Sequence, residues 1–291
     1  MKYWPAFILL LLVACESNDR PERHGRLLFA AGSYIGEFDL RDGSSAPVIS
    51  LGDVTIDHLS SFPDGDLLIT MRVYSNGRET STIIRYDLRN NETLTMFPGL
   101  MAEYMAGARA VVYDDGTQLI ITHRGEAWRD EITIDFHGST ARPAVATLSD
   151  NEFLFSGVAD GEAMIYRYDV RDDQRVAMPA LSSVCSVDGA VWIESLELLM
   201  CKSWSDEQSP GRYVLASLQG ELRAEPSLVA EGTLRAVAYL PDQGLVVLTQ
   251  RLESWAGGQS SNSVWIYDVR DDSSYEIAKD QYLGSAVVYR P

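Results

Sequence analysis

The chain is short of several things that would otherwise decide its class. It has 3 Cys and 4 His in 291 residues, too few for a disulfide framework and thin material for zinc. Lysine is nearly absent, with Lys2, Lys202 and Lys279 the whole set, and acids outnumber bases to give a formal net charge of −18. So acidic a chain repels a phosphate backbone, which excludes nucleic acid as a partner. No apolar run reaches the roughly 18 residues of a membrane-spanning helix. There is no Gly-x-Ser-x-Gly elbow, P-loop, Gly-x-Gly-x-x-Gly or His-Glu-x-x-His. His24, His58, His123 and His137 fall in separate segments with no ligand spacing. No catalytic residue, resident metal or cofactor is therefore expected.

What is present begins at the N-terminus. Lys2 precedes an apolar run from Ala6 to Ala14, which ends abruptly at Cys15-Glu16-Ser17-Asn18-Asp19. The run is too short to span a bilayer and has the layout of an export signal. Leu12-Val13-Ala14-Cys15 resembles the lipobox of bacterial lipoproteins. That resemblance implies removal of residues 1–14, acylation of Cys15 and attachment to the bacterial cell envelope. Glu16 after the cysteine, where the sorting rule of enteric bacteria applies, implies the outer membrane. Residues 15–26, with Pro21 and Gly25, read as a flexible tether, and residues 27–291 as one folded domain. An exported chain can keep disulfides, so Cys185 and Cys201 are expected to pair, the alternative being two small buried hydrophobes.

The domain repeats internally. Glu37-Phe38-Asp39-Leu40-Arg41-Asp42, Arg85-Tyr86-Asp87-Leu88-Arg89-Asn90, Arg167-Tyr168-Asp169-Val170-Arg171-Asp172 and Ile266-Tyr267-Asp268-Val269-Arg270-Asp271 are one motif, with weaker copies at Ile134-Asp135-Phe136-His137 and Leu215-Ala216-Ser217-Leu218. Equating positions 39, 87, 135, 169, 217 and 268 gives spacings of 48, 48, 34, 48 and 51. A period of about 40–50 built from short strands indicates a β-propeller with four antiparallel strands per blade. In the third unit, Gly107–Tyr113 and Leu119–Thr122 read as the first and second strands of a blade. The chain enters at a second-strand pattern, Leu27–Ala31, and ends on an unpaired first strand, Gly284–Tyr289. The last strand should therefore pair beside the N-terminal ones and close an all-β ring of six blades, five and seven being the neighbouring counts.

Ser61-Phe62-Pro63-Asp64-Gly65-Asp66-Leu67-Leu68-Ile69 followed by Ile83-Ile84-Arg85-Tyr86-Asp87-Leu88 resembles the WD40-like repeat of TolB-type six-bladed propellers, with Pro241-Asp242-Gln243-Gly244 a degenerate copy of its turn. The resemblance implies fold and compartment; propellers host enzymes and scaffolds alike.

Asp172-Asp173 and Asp271-Asp272 suit calcium by charge, but they follow third strands, where Asp closes tight turns through side-chain-to-backbone hydrogen bonds; turn chemistry is the expectation. One pattern recurs at the ends of the second strands. Arg72, Arg124, Lys202 and Arg251 occupy one slot in four blades, and Tyr74, Trp128, Trp204 and Trp255 follow them. Long connections carrying these residues would form a broken ring of cations and aromatics around one channel mouth, suited to an acidic protein surface, a peptide, or an anionic or sugar polymer. The alternative is that these cations pair with acids of neighbouring blades. The leading expectation is an anchored, non-catalytic binding or scaffold module for a protein, anionic or glycan partner. The alternative is a lactonase- or esterase-like propeller with a channel-bound metal, for which Asp57, Glu103 and Glu194 are the candidate carboxylates.

Overall fold

A computed structural model describes residues 24–75, 78–114, 118–123, 131–135, 145–159, 162–203, 212–228, 233–252, 261–280 and 286–290. Segments such as Leu27-Leu28-Phe29-Ala30 and Tyr213-Val214-Leu215-Ala216 are buried at every position. Short, uniformly apolar runs of this kind form strands covered on both faces. The covers are neighbouring sheets.

Six four-stranded antiparallel sheets form the blades of a propeller. Counting strands outward from the axis, blade 1 is Ala286–Arg290, Arg26–Ala31, Tyr34–Asp39 and Ser45–Ser50, and blade 2 is Val54–Ser61, Leu67–Ser75, Arg78–Asp87 and Glu92–Pro98. Blade 3 is Met101–Met105, Ala110–Asp114, Gln118–His123 and Glu131–Asp135, and blade 4 is Val145–Thr147, Glu152–Ala159, Glu162–Asp169 and Gln174–Ala177. Blade 5 is Cys185–Ile193, Leu198–Ser203, Tyr213–Ala216 and Leu222–Ala224, and blade 6 is Thr233–Leu240, Leu245–Leu252, Ser261–Asp268 and Ser273–Asp280. Helix among the described residues is limited to Pro179–Ser182 and two single 3₁₀ turns, Glu194–Leu196 and Pro241–Gln243.

Each pair of adjacent blades shares its own hydrophobic cluster, and the six clusters close a circle. Strand periodicity divides the work: Leu28 and Ala30 face blade 2 while Leu27 and Phe29 face blade 6. Burial fades outward, and the fourth strands Gln174–Ala177 and Leu222–Ala224 are wholly exposed. As the sequence indicated, Ala286–Arg290 pairs antiparallel with Arg26–Ala31, from Arg26↔Arg290 to Ala30↔Ala286. In blade 5 a disulfide joins Cys185 and Cys201, with Cα atoms 5.7 Å apart.

Blade 3 differs from the expected register. The hairpin Ala110–Asp114 with Gln118–His123 forms, but as second and third strands. Met101–Met105 takes the innermost place because it buries residues on both sides: Ala102 and Tyr104 against Phe62 of blade 2, and Met105 in the cluster shared with blade 4. Asp135 accordingly ends a fourth strand, not a third.

Antiparallel order gives the ring two different ends. Connections from first to second and from third to fourth strands lie at one end, the turn face. Those from second to third strands, and from each blade to the next, lie at the other, the loop face. The repeated Tyr-Asp motif builds the turn face. Asp39, Asp87, Asp169 and Asp268 each accept, through Oδ1, the backbone N–H two residues on, at 2.8, 2.8, 2.9 and 3.0 Å. Five residues after each Tyr stands an Asx in left-handed conformation: Asn91, Asp173 and Asp272, with φ of 58°, 52° and 53°. The phenols of Tyr86, Tyr168 and Tyr267 donate to these side chains, the last at 2.8 Å. Burial, then the Asp173 or Asp272 carboxylate, pushes the Tyr168 and Tyr267 phenols well above the usual tyrosine range, so they remain donors. Blade 1 has Phe38 where the others have Tyr, and the left-handed position is Gly43, φ 73°. A residue that needs no anchoring replaces one that does.

Two outcomes follow. Tyr168→Phe should cost about 1–2 kcal/mol, because Asp173 loses its donor while held in a left-handed conformation. In an Asp173→Gly background the same change should cost less than half as much, as a double-mutant cycle in urea would show. The Asp268 carboxyl is held below the usual range by its Arg270 hydrogen bonds, and that of Asp272 by the Ser227 amide and hydroxyl. A carboxyl with a depressed folded-state pKa stabilises above its unfolded value of about 4 and loses that contribution as pH falls through the folded value. The urea midpoint should therefore drop steeply below about pH 4, and Asp268→Asn should flatten that drop.

Candidate functional site

The seam between blades 2 and 3 combines its apolar cluster with a polar group near the axis. It originates in a β-bulge: pairing of Val54–Ser61 with Leu67–Ser75 slips between Ile56 and His58, leaving Asp57 as the extra residue. Bulges re-aim side chains. Here Asp57 meets Arg72, whose Nε donates to Asp57 Oδ2 at 2.6 Å while Nη1 donates to Glu79 Oε1 at 2.9 Å. Beyond the bulge His58 returns to register opposite Thr70, so both point toward blade 3. There His58 Nε2 lies 2.6 Å from Glu103 Oε1 of the innermost strand, both side chains about one-fifth exposed. Thr70 is wholly buried, and its hydroxyl has no hydrogen-bond partner among the described residues. The seam thus sets an imidazole against a carboxylate, and it holds a guanidinium between two acids. Asp57, then Glu79, raises the affinity of Arg72 for its proton.

This geometry revises the expected cationic ring. Arg72 lies within a strand, not in a long connection, since only residues 76 and 77 separate its strand from the next. It is an ion-paired residue of the seam, its charge balanced by Asp57 and Glu79. Arg124 and Trp128 lie outside the described residues. His123, before them in the chain, ends a third strand at the turn face. Lys202 is half-buried in the second strand of blade 5, between Ser186 and Tyr213 in register. Trp204, Trp255 and Cys15 lie outside the described residues; Arg251 pairs in register with Thr233 and Asn262. Among the described residues Arg72 and Arg251 hold matching places, each paired with the third-strand residue six before the motif Asp, Ser81 before Asp87 and Asn262 before Asp268.

Tyr74 does stand free at the loop face, 72% exposed, beside Arg72 and opposite Glu79 in register. Its counterpart on blade 1 is Tyr34, 51% exposed, the first residue of a third strand and so at the same end of the ring. The two blades are stitched together there by one backbone bond, Ile56 N–H donating to Gly32 O at 2.8 Å, beside Leu51 N–H, just after the fourth strand of blade 1, donating to Ser33 O at 3.0 Å. Sequence comparison of second-strand ends passed over Tyr34 because it begins a third strand; an aromatic placed directly after the Gly32-Ser33 turn was the available signal. His58 was passed over because its partner is a carboxylate from the next blade. Of the candidate metal carboxylates, Asp57 and Glu103 lie on adjacent innermost strands, whereas Glu194 is exposed on a 3₁₀ turn of the turn face. Among the described residues no group of three His, Cys, Asp or Glu is placed to hold a metal ion.

No family model matches the chain, and no curated protein matches it in sequence. Solved structures do match. TolB from Acinetobacter baumannii is 12% identical with a TM-score of 0.64, the match covering 91% of this chain and 66% of that one. A chain of a nidogen–laminin complex gives 12% and 0.64 over 91% and 97%. An oligogalacturonate lyase in complex with manganese gives 12% and 0.50 over 88% and 74%. At these identities the likeness defines a class by fold: this is a TolB-like six-bladed β-propeller.

Arg72→Ala should cost about 1 kcal/mol, more than an ordinary surface change, because Asp57 loses its partner in a half-buried position. The urea midpoint measures it, and Arg72→Lys should recover only part because one ammonium cannot reproduce the fork of donors.

Proposed function

We propose that this chain is a membrane-anchored, non-catalytic β-propeller that binds a protein partner in the bacterial cell envelope, held by lipid on Cys15. The observation that carries the binding reading is the pair of exposed tyrosines, Tyr34 and Tyr74, at the loop face of two stitched blades. Tyrosine supplies a large, stiff, amphipathic contact and is enriched at binding hot spots, where its ring is desolvated and its hydroxyl finds a partner. The Arg72 guanidinium beside Tyr74 is already neutralised, so this surface favours an uncharged, aromatic-accepting protein face over an anionic polymer. A propeller chain in a nidogen–laminin complex and the TolB fold are consistent with a role in protein assembly. The anchor rests on the sequence around Cys15, and Glu16 favours the outer membrane.

A second reading, a metal-dependent propeller hydrolase, is favoured by one observation: His58 and Glu103 pair near the axis, 2.6 Å apart. Stoichiometric metal after chelator-free purification, with ester or lactone turnover lost in Glu103→Gln, would select it.

The deciding experiment is a crosslinked pull-down from native membranes with wild type and Tyr34→Ala/Tyr74→Ala side by side. Capture of one stoichiometric envelope protein should fall at least tenfold in the variant. Its stability should stay within about 0.5 kcal/mol per site, as for other exposed substitutions. Undiminished capture by the variant would sink the tyrosine surface.

A further inference from the structure

The point at which the chain enters the ring is fixed unusually firmly. Gln243, in the turn between the first and second strands of blade 6, is 7% exposed. Its Nε2 donates to His24 O at 2.7 Å and its Oε1 accepts from His24 N at 3.2 Å. One carboxamide thus pairs with both backbone groups of one residue, as a neighbouring strand would. The next residue, Gly25, accepts at its carbonyl from Leu40 N, 3.1 Å away in the outer turn of blade 1. Gly25 has φ 90°, a conformation L side chains rarely adopt, and it turns the chain into Arg26–Ala31. Gln243 and Leu40 both belong to the turn face. Two blades therefore grip the entering chain at that end of the ring.

We infer that the propeller stands with its turn face toward the bilayer and presents its loop face, with Tyr34 and Tyr74, to the compartment beyond. The inference rests on the Cys15 anchor proposed above; the orientation comes from the grip and from reach. Fully extended, the chain from Cys15 to His24 spans at most about 32 Å. Laying the loop face on the membrane would require the tether to cross two outer strands, about 10 Å, and then descend a six-residue strand, about 20 Å. That path consumes its whole extended length. The turn face needs none of it. The anchor and the tyrosine surface are thereby kept at opposite ends, so a partner reaches Tyr34 and Tyr74 without competing with lipid.

Energy transfer to membrane acceptors tests this. The chain from Cys15 onward, coupled through that thiol to maleimide lipid in phosphatidylcholine vesicles, would carry a donor dye clicked onto an azide-bearing residue. The dye sits either at position 196, exposed on the turn face, or at position 53, exposed on the loop face. With acceptor-labelled headgroups, transfer from position 196 should exceed that from position 53 at least twofold. Equal transfer, or more from position 53, would overturn the orientation. Inserting a further tether-length of Gly-Ser residues after Glu22 leaves the ring untouched and should shrink the ratio toward one; an unchanged ratio would overturn the argument from reach. Gln243→Glu, which removes the donor to His24 O, should lower the ratio, and no change would overturn the role of the clamp. Intact mass of the chain extracted from native membranes separates the two proposals. Absence of acyl mass on Cys15 removes the anchor, while the coupled chain still reports the orientation.

Discussion

The pairing of Ala286–Arg290 with Arg26–Ala31 joins the two ends of the fold, and the other contacts presuppose it. Each blade is apolar on both faces, so an open arc of six would leave two such faces in water. One is the Leu27, Phe29 and Phe38 side of blade 1; the other is the Leu240, Val247 and Ile266 side of blade 6. Bringing together strands at opposite ends of the chain is entropically tolerable because loop-closure cost grows only logarithmically with length. What closure yields is a complete sixth interface and an innermost strand for blade 1. A single mixed blade does both, which is why the chain enters at a second strand and not a first.

Closure also divides the molecule into two ends with different chemistry. At the turn face, Asp and Asn side chains are taken up by structure: Asp87, Asp169 and Asp268 cap their own turns, and Asn91, Asp173 and Asp272 receive tyrosine hydroxyls. Blade 1 solves the same geometric problem without a tyrosine hydroxyl, with Phe38 in the tyrosine's place and Gly43 at the left-handed position. The two solutions show that the constraint is the left-handed residue itself and that the tyrosine is one means of holding it. At the loop face, side chains such as Tyr34 and Tyr74 stand exposed.

The blade count, the closure and the turn role of the Asp motif were legible because each is carried by local pattern: period-two burial, a fixed offset to a turn, an unpaired strand at each end. The register of blade 3 was not. Met101–Met105 alternates weakly, and its claim to the innermost place comes from Phe62 and Tyr104 meeting across two blades, 4.5 Å between ring centroids. That slip moves every later position in the blade by one strand, and so His123, aligned in sequence with Met71, ends a strand of opposite direction. The His58–Glu103 pair was hidden for a related reason. Its partners lie 45 residues apart on different blades, and the Asp57 bulge, which no local pattern announces, decides which way each residue of that strand points.

The fate of Arg72 follows from the overall charge. With 42 acids against 24 bases, many surface arginines meet a carboxylate of their own chain. Arg85 lies between Asp64 and Asp66, Arg167 meets Glu152, Arg26 meets Glu37, and Arg270 is bidentate on Asp268. An external anion would have to displace an acid that is already in position, at a local concentration no free ligand matches. Sequence alignment of cations is therefore a weak guide to anion sites in so acidic a chain. Exposed aromatic rings are the better guide, because nothing in the acidic surface competes to cover them, and desolvating them does not depend on the balance of charge.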